Sequence, residues 1–440
     1  MFVVDDQTLN DLRIFQTTKG DKSIMSLFDA VESYGGRHML GYLFRTPLSD
    51  IADIKNRMEC IKYLESKRIA LKVEAESLDF IEHYFSLAKI PSRYSFIDGL
   101  RKRWGLFLKD NNEYYIITRA VKWLAEIIKN LNLFAHSGDC NDYPILLKDI
   151  ADKIIEITES PEISEILKHK GKRFSAYEIE RFDHLLRYKR RDDIRELLNN
   201  IYLIDVFQSV IKTKNEYGFT FADLSETPAI TVNGLYHPFV KNPVANDIYM
   251  DKSNLGFITG ANMAGKSTFM KAFGISVYLS HMGFPVPAEK MTTSVFDGLF
   301  TTINVPDDLS LGYSHFYSEV KRIKYVAEKV GAGNKYVVIF DELFRGTNVK
   351  DAYEATVTII ELFAGIGDCF YLFSSHIIEA AEELVNRLPN IQFLSFRTAL
   401  NNDVLSYTYQ MYEGISNDRF GMYIIEKEGI RNLLKMKNGR

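Results

Sequence analysis

The chain has 440 residues, 46% of them hydrophobic and 25% charged, and a formal net charge of −4. That length exceeds one ordinary domain and the composition is globular, so two or three domains are expected. The charge balance excludes a general basic field for nucleic acid, so any such contact must come from local patches. No run of 18 apolar residues occurs, and Met1-Phe2-Val3-Val4-Asp5-Asp6 lacks the basic and apolar regions of a signal peptide, so neither a membrane span nor export is expected and the compartment read here is the cytoplasm. Cys60, Cys140 and Cys369 are far apart, as suits buried small hydrophobes in a reducing compartment. The nine histidines show no metal-ligand spacing, so zinc is not expected.

The first half, to about Tyr217, has helical periodicity. From Ser49 to Lys67, apolar residues recur at Ile51, Ile54, Met58, Ile61 and Leu64. Tyr114 to Leu133 and Tyr143 to Ile157 repeat the pattern. Ser175-Ala176-Tyr177-Glu178 is a capping box opening a helix with Ile179, Phe182, Leu185 and Leu186 on one face. A last helix, about Asp192 to Thr213, aligns Ile194, Leu197, Leu198, Ile201 and Ile204. This predicts an elongated or bundled helical module over residues 1–217. Two basic clusters lie in it, Lys168-His169-Lys170-Gly171-Lys172-Arg173 and Arg187-Tyr188-Lys189-Arg190-Arg191, and Arg101-Lys102-Arg103-Trp104 is a third. They read equally as phosphate contacts, with Lys170, Lys172, Arg173, Arg190 and Arg191 the candidates, or as solvated surface; Asp192-Asp193 weakens the second cluster.

After Gly218 the character changes, and residues 218–440 read as an α/β domain. Short apolar runs at Ala229–Val232, Leu255–Thr259, Lys335–Phe340 and Cys369–Phe373 alternate with helical patterns at Ser267 to about Ser280 and Ala352 to Phe363. Continuous apolar strands between helices imply a buried parallel sheet. Gly260-Ala261-Asn262-Met263-Ala264-Gly265-Lys266-Ser267 fits G-x-x-x-x-G-K-[ST] between a predicted strand and a predicted helix. In that setting backbone N–H groups close on phosphates, the helix terminus adds positive charge, Lys266 reaches the β/γ-phosphates and Ser267 holds Mg²⁺. Gly274 is a blemish in the helix.

Asp341-Glu342 ends the 335–340 strand, at the edge where parallel sheets bind ligands. Asp341 suits Mg²⁺ and Glu342 suits orienting or deprotonating a lytic water. The 369–373 strand runs into Ser374-Ser375-His376, where a histidine can meet the γ-phosphate or that water. Between these elements, Asp307 to Glu319 reads either as a second anion-binding helix start or as an ordinary capped helix.

At this point the motifs resemble a known family. Asn262-Met263, Ser267-Thr268-Phe269-Met270, Val286-Pro287-Ala288, Ser310-x-Gly312-x-Ser314-x-Phe316-x-x-Glu319 and Asp341-Glu342-x-x-Arg345-Gly346-Thr347 are similar to the ATPase domain of the MutS DNA mismatch-repair family. Leu235-Tyr236-His237-Pro238, Ala245-Asn246-Asp247 and the Gly421 region fit as well. Near the start, Asp5-x-x-Thr8-x-x-x-Leu12, Ser26-Leu27-Phe28-Asp29, Gly35-Gly36-Arg37-x-Met39-Leu40 and Pro47-Leu48-Ser49-Asp50 resemble the opening of that family's helical core.

The resemblance implies a helical core/lever domain followed by a P-loop ATPase domain of the ABC type, using ATP and Mg²⁺. It places Gly260, Asn262, Gly265, Lys266, Ser267 and Thr268 on the phosphates, Ser267 and Asp341 on the metal, Glu342 as catalytic base, His376 as sensor and Val244 on the adenine. It also implies a homodimer in which Ser314 completes the partner's site, with DNA, mismatched or branched, as second ligand. The sequence departs from the family at Ala264, His315, Phe344, Ser375 and Ile377. The expected mismatch-reading domains, full clamp and terminal nuclease module are not seen. Two rival readings follow: an ABC-type switch acting on a protein partner, and a nucleotide-binding assembly module with little turnover.

Overall fold

Strand-forming runs in the second half and apolar helical stripes in the first half sort into different parts of the molecule. The computed structural model describes residues 2–16, 20–71, 73–87, 111–136, 142–168, 174–303, 315–344, 347–401, 404–416 and 427. Contacts divide the chain into two units: Met1–Ile24, Pro47–Ile54 and Tyr217–Arg440 form one, and Met25–Thr46 with Lys55–Glu216 the other.

The sheet-containing unit has eleven strands among the described residues: β1 (Val3–Val4), β2 (Asp223–Ser225), β3 (Ile230–Leu235), β4 (Asn246–Met250), β5 (Leu255–Gly260), β6 (Lys290–Ser294), β7 (Gly298–Thr302), β8 (Tyr336–Asp341), β9 (Phe370–Ser374), β10 (Gln392–Asn401) and β11 (Val404–Glu413). Seven make a sheet of order β1-β7-β8-β9-β5-β10-β11, parallel except for the β10–β11 pair, and four make a second sheet of order β2-β6-β3-β4. The expected parallel sheet is present, with an antiparallel edge.

Central strands β8 and β9 are buried at every position, so alternate residues feed two cores. Val338, Phe340, Tyr371 and Phe373 join Ile323, Val326, Ile360, Phe363 and Leu384 in one core, beneath helices His315–Val330, Val349–Ala364 and Ile378–Arg387. Ile339, on the alternate face, meets the helix Lys266–His281. Gly274 marks that contact: a Cβ there would lie 2.9 Å from Leu12 Cδ2 and 3.2 Å from Ile339 Cδ1. The blemish in the helical pattern is therefore a place where the helix lies close to Leu12 and to β8.

Residues 1–24 correct the expected domain division, which had put them with the helices. β1 pairs with β7 at the edge of the large sheet, Val3 opposite Gly298. Asp5 caps the helix Asp6–Asp11 by accepting from Thr8 N–H at 2.9 Å, and its carboxylate is ion-paired to Arg322. Buried Thr8 accepts from Thr301 N–H at 2.9 Å. Buried Asp11 accepts from the Thr301 hydroxyl at 2.8 Å and from Ile303 N–H at 2.9 Å. A sequence pattern for a helix start cannot reveal that its cap is shared with Arg322, 317 positions away.

The other unit is helical, as its periodicity predicts. Its described elements include helices Tyr34–Arg45, Ala75–Ser86, Asn111–Ala135, Ile145–Thr158, Pro161–Leu167 and Ala176–His184, the π-turn Leu185–Lys189, and most of the helix Arg191–Tyr217. The Ser175 capping box forms: Ser175 N–H donates to Glu178 Oε2 at 2.7 Å and Glu178 N–H donates to Ser175 Oγ at 3.3 Å. Ile194, Leu197, Leu198, Ile201 and Ile204 are all buried. No helix of the described residues is long and apolar enough to cross a membrane.

Candidate nucleotide-binding site

β9 lies between β5 and β8, with Ile258 and Asp341 both in register with Ser374. The C-terminal ends of three neighbouring parallel strands thus carry the glycine loop, the acidic pair and the histidine. Strand-by-strand alternation cannot predict this order, yet it decides which motifs meet.

After β5 the chain turns through residues whose backbones need special conformations. Gly260 has φ +140, and a Cβ there would lie 2.7 Å from Phe396 O. Gly265, at φ +112, caps the helix Lys266–His281. Ala264, where the family pattern has glycine, is fully buried and lies outside the left-handed region, so its methyl group is accommodated. Lys266 is buried; its ammonium donates to Gly260 O at 2.7 Å and Ala261 O at 3.1 Å, and lies 3.4 Å from Glu342 Oε1.

The acidic pair is held by β9. The Ser374 hydroxyl donates to Asp341 Oδ1 and accepts from Glu342 N–H at 3.2 Å, while Ser374 O accepts the same N–H at 3.1 Å. Glu342 and Phe344 have φ of +52 and +64, conformations that favour glycine. The buried Phe344 ring packs against Phe316, tilted by 46° with centroids 5.7 Å apart. His376 is exposed, with Nδ1 3.9 Å from Glu342 Oε2.

A cleft of about 630 Å³ opens over the loop and is lined by Val244, Asn262, Gly265, Lys266, Ser267, Thr268 and Glu342 among others. Gly260, Asp341 and His376 stand beside it at the strand ends. Ser314 lies outside the described residues, as do Lys170, Lys172, Arg173, Arg345, Gly346 and the Arg101–Trp104 cluster.

Among the cleft residues that carried no sequence signal are Tyr409, Phe396 and Val240. The first two sit on the β10–β11 hairpin, far along the chain from the loop. Asn246 ties that hairpin down, donating to Tyr409 O at 3.0 Å and accepting from Met411 N–H at 2.7 Å. Its amide also donates to Val244 O at 3.2 Å. His237 lines the cleft too; burial, aided by Lys271 and Arg13, pulls its pKa down to about 4, so it is neutral at pH 7.

The Arg187–Arg191 cluster is engaged internally. Arg187 is buried and donates to Asp183 at 2.7 Å, and Asp183 also accepts from the Tyr84 hydroxyl at 2.5 Å. Arg190, a candidate DNA contact, lies 2.9 Å from Asp193 and 3.4 Å from Glu162. Lys189 is ion-paired to Glu162, and Arg191 is half-buried. Asp193, read from sequence as weakening the cluster, is one of its partners. No group of three or more His, Cys, Asp or Glu side chains suited to a metal ion occurs among the described residues. Cys60 and Cys369 are buried free thiols, as expected, and burial pushes Cys60 up to about 12.

The family model for MutS domain V matches residues 256–436. The chain is similar to the DNA mismatch repair protein MutS of Geobacillus kaustophilus (strain HTA426), 30% identical over 244 residues, 54% of this chain and 27% of that protein. The MutS protein of Thermotoga maritima is 30% identical over 247 residues, 55% of this chain and 30% of that protein. That of Fervidobacterium nodosum is 28% identical over 289 residues, 64% of this chain and 33% of that protein. The matches span a third or less of the length of these relatives. They agree with the family model, which begins inside β5, that this half of the chain is similar to MutS domain V.

Proposed function

We propose that the chain is a MutS-like DNA-repair ATPase, built on a P-loop domain, that dimerises and couples ATP binding and hydrolysis to DNA binding. The observation that carries this reading is the meeting of Lys266, Asp341 and Glu342 where three adjacent parallel strands end above one cleft. The cleft volume suits a nucleotide. The donor set suits magnesium: a hydroxyl at Ser267 and a buried carboxylate at Asp341 would hold the ion, with the phosphates and water completing its shell. Bound there, Mg²⁺ supplies positive charge to the phosphate oxygens.

Lys266 donates here to carbonyls of its own loop, and those hydrogen bonds pass to β- and γ-phosphate oxygens when a triphosphate enters. Its move away from Glu342 frees that carboxylate to take a proton from the attacking water. His376, beside Glu342, donates to the water or the γ-phosphate. Val244 and the neighbouring hairpin enclose the base. Ser314 of one copy completes the site of the other.

The test is the ATPase rate with and without matched, mismatched and branched DNA. Wild-type turnover stimulated by DNA, and lost in Lys266→Ala and Glu342→Gln, supports the proposal. Turnover indifferent to DNA, with no salt-sensitive DNA binding, favours the second reading, an ATPase switch acting on a protein partner. The net charge of −4 and the internal pairing of Arg187 and Arg190 favour that alternative. Nucleotide binding without turnover points to an assembly module.

A further inference from the structure

The helical unit carries an aromatic groove that the nucleotide reading does not use. Tyr34, His38 and Tyr42 recur every four residues on the helix Tyr34–Arg45, so they form one stripe along it. All three are exposed, the tyrosines at 60% and 61%. Aromatic stripes on helices ordinarily face a core; a stripe left in solvent marks a contact surface.

The groove beside the stripe, about 450 Å³, reaches Glu82 and Tyr202. Its floor is firmly built. Tyr202 is buried and its hydroxyl donates to Glu82 Oε1 at 2.7 Å. Gly35 lets the helix start rest on that ring, since a Cβ there would fall 2.2 Å from Tyr202 Cζ. Ser33 caps the helix and donates to Asp205 Oδ2 at 2.7 Å, and Asp79 accepts from Tyr34 N–H at 3.0 Å.

Charge selects the occupant. Besides His38, Glu82 is the one ionisable group other than tyrosine lining the groove among the described residues, and Asp79 stands at its rim. Tyrosine faces beside a carboxylate attract a cation through ring quadrupole and charge together. The same carboxylates repel phosphate, which disfavours stacked nucleobases although their rings would suit the tyrosines. We propose that this groove docks an arginine-bearing segment of a protein partner, with a guanidinium between the tyrosine faces and Glu82.

The test uses the full chain and a fluorescein-labelled peptide of alternating arginine and glycine, followed by anisotropy. A peptide with citrulline at every arginine is the neutral control. The arginine peptide is expected to bind at least tenfold more tightly than the control. Tyr34→Ala/Tyr42→Ala, which leaves the charge unchanged, and Glu82→Gln, whose amide oxygen still accepts from Tyr202, should each weaken binding at least fivefold with unchanged thermal melting. General attraction of a cationic peptide to an acidic protein would ignore the tyrosine change. Equal binding of both peptides, no measurable binding, or an unaffected tyrosine variant overturns the proposal. So does an oligothymidine strand that binds the wild type and is lost with the tyrosines.

Discussion

Lys266 and Arg187 each keep 4% of their side-chain surface exposed, yet their surroundings differ in kind. Arg187 finds Asp183 one helical turn back, shares it with the Tyr84 hydroxyl, and lies over the Tyr84 and Tyr188 rings at 5.1 and 5.0 Å. Its partners come from packed helices. Lys266 instead holds two carbonyls of its own loop and faces a carboxylate on a separate strand, at the mouth of a cleft. A buried cation is therefore no sign of function by itself. What distinguishes a site is a cation whose present partners can be exchanged for a ligand's.

That contrast predicts opposite phenotypes. Lys266→Ala should lower ATP turnover at least about a hundredfold, measured by phosphate release, while the thermal midpoint changes little. Glu342→Gln should lower turnover comparably yet keep nucleotide binding, read by a fluorescent ATP analogue. Arg187→Ala should do the reverse, costing about 3–5 kcal/mol in urea unfolding because Asp183 is left buried and unpaired, with turnover per folded molecule retained. An Arg187 variant of wild-type stability, or a Lys266 variant that unfolds, would erase the distinction.

A smaller effect is expected at Ser374, which orients Asp341 and Glu342 together. Ser374→Ala should raise the Mg²⁺ concentration for half-maximal turnover severalfold, and Ser374→Thr should restore it. The smallest concerns Asp5. Burial pushes its carboxyl up, but Arg322 and Thr8 outweigh this and hold it below the usual range. Its stabilising contribution is present above the ordinary carboxylate pKa and is lost as pH falls through the lowered one. Asp5→Asn should therefore flatten the loss of stability seen on acidification below about pH 4.

Much of the sheet was legible because its signals are local. The β5, β8 and β9 runs are mostly apolar and almost wholly buried, and Gly260 and Gly265 stand where φ is positive. The motif residues around Lys266 and Asp341-Glu342 were likewise readable in one stretch each. Tyr409 and Phe396 were not, because they reach the cleft through β10 pairing with β5 and through Asn246. Arg190 stayed open for a related reason: composition shows a run of cations, whereas helix packing sets Glu162 against it. Phe344 is more instructive still. Its departure from a glycine pattern was visible, but only the backbone gives it a cause, a left-handed conformation kept in place by packing on Phe316.

The opening residues have a consequence for dissection and for synthesis. A fragment starting at residue 218 would lose β1, the bonds that Thr8 and Asp11 make to Thr301 and Ile303, and the carboxylate that pairs with Arg322. On the ribosome, residues 3–11 emerge nearly three hundred positions before the strand they pair with, so the sheet's edge closes late and through long-range contacts. A stretch made early is thus fastened late.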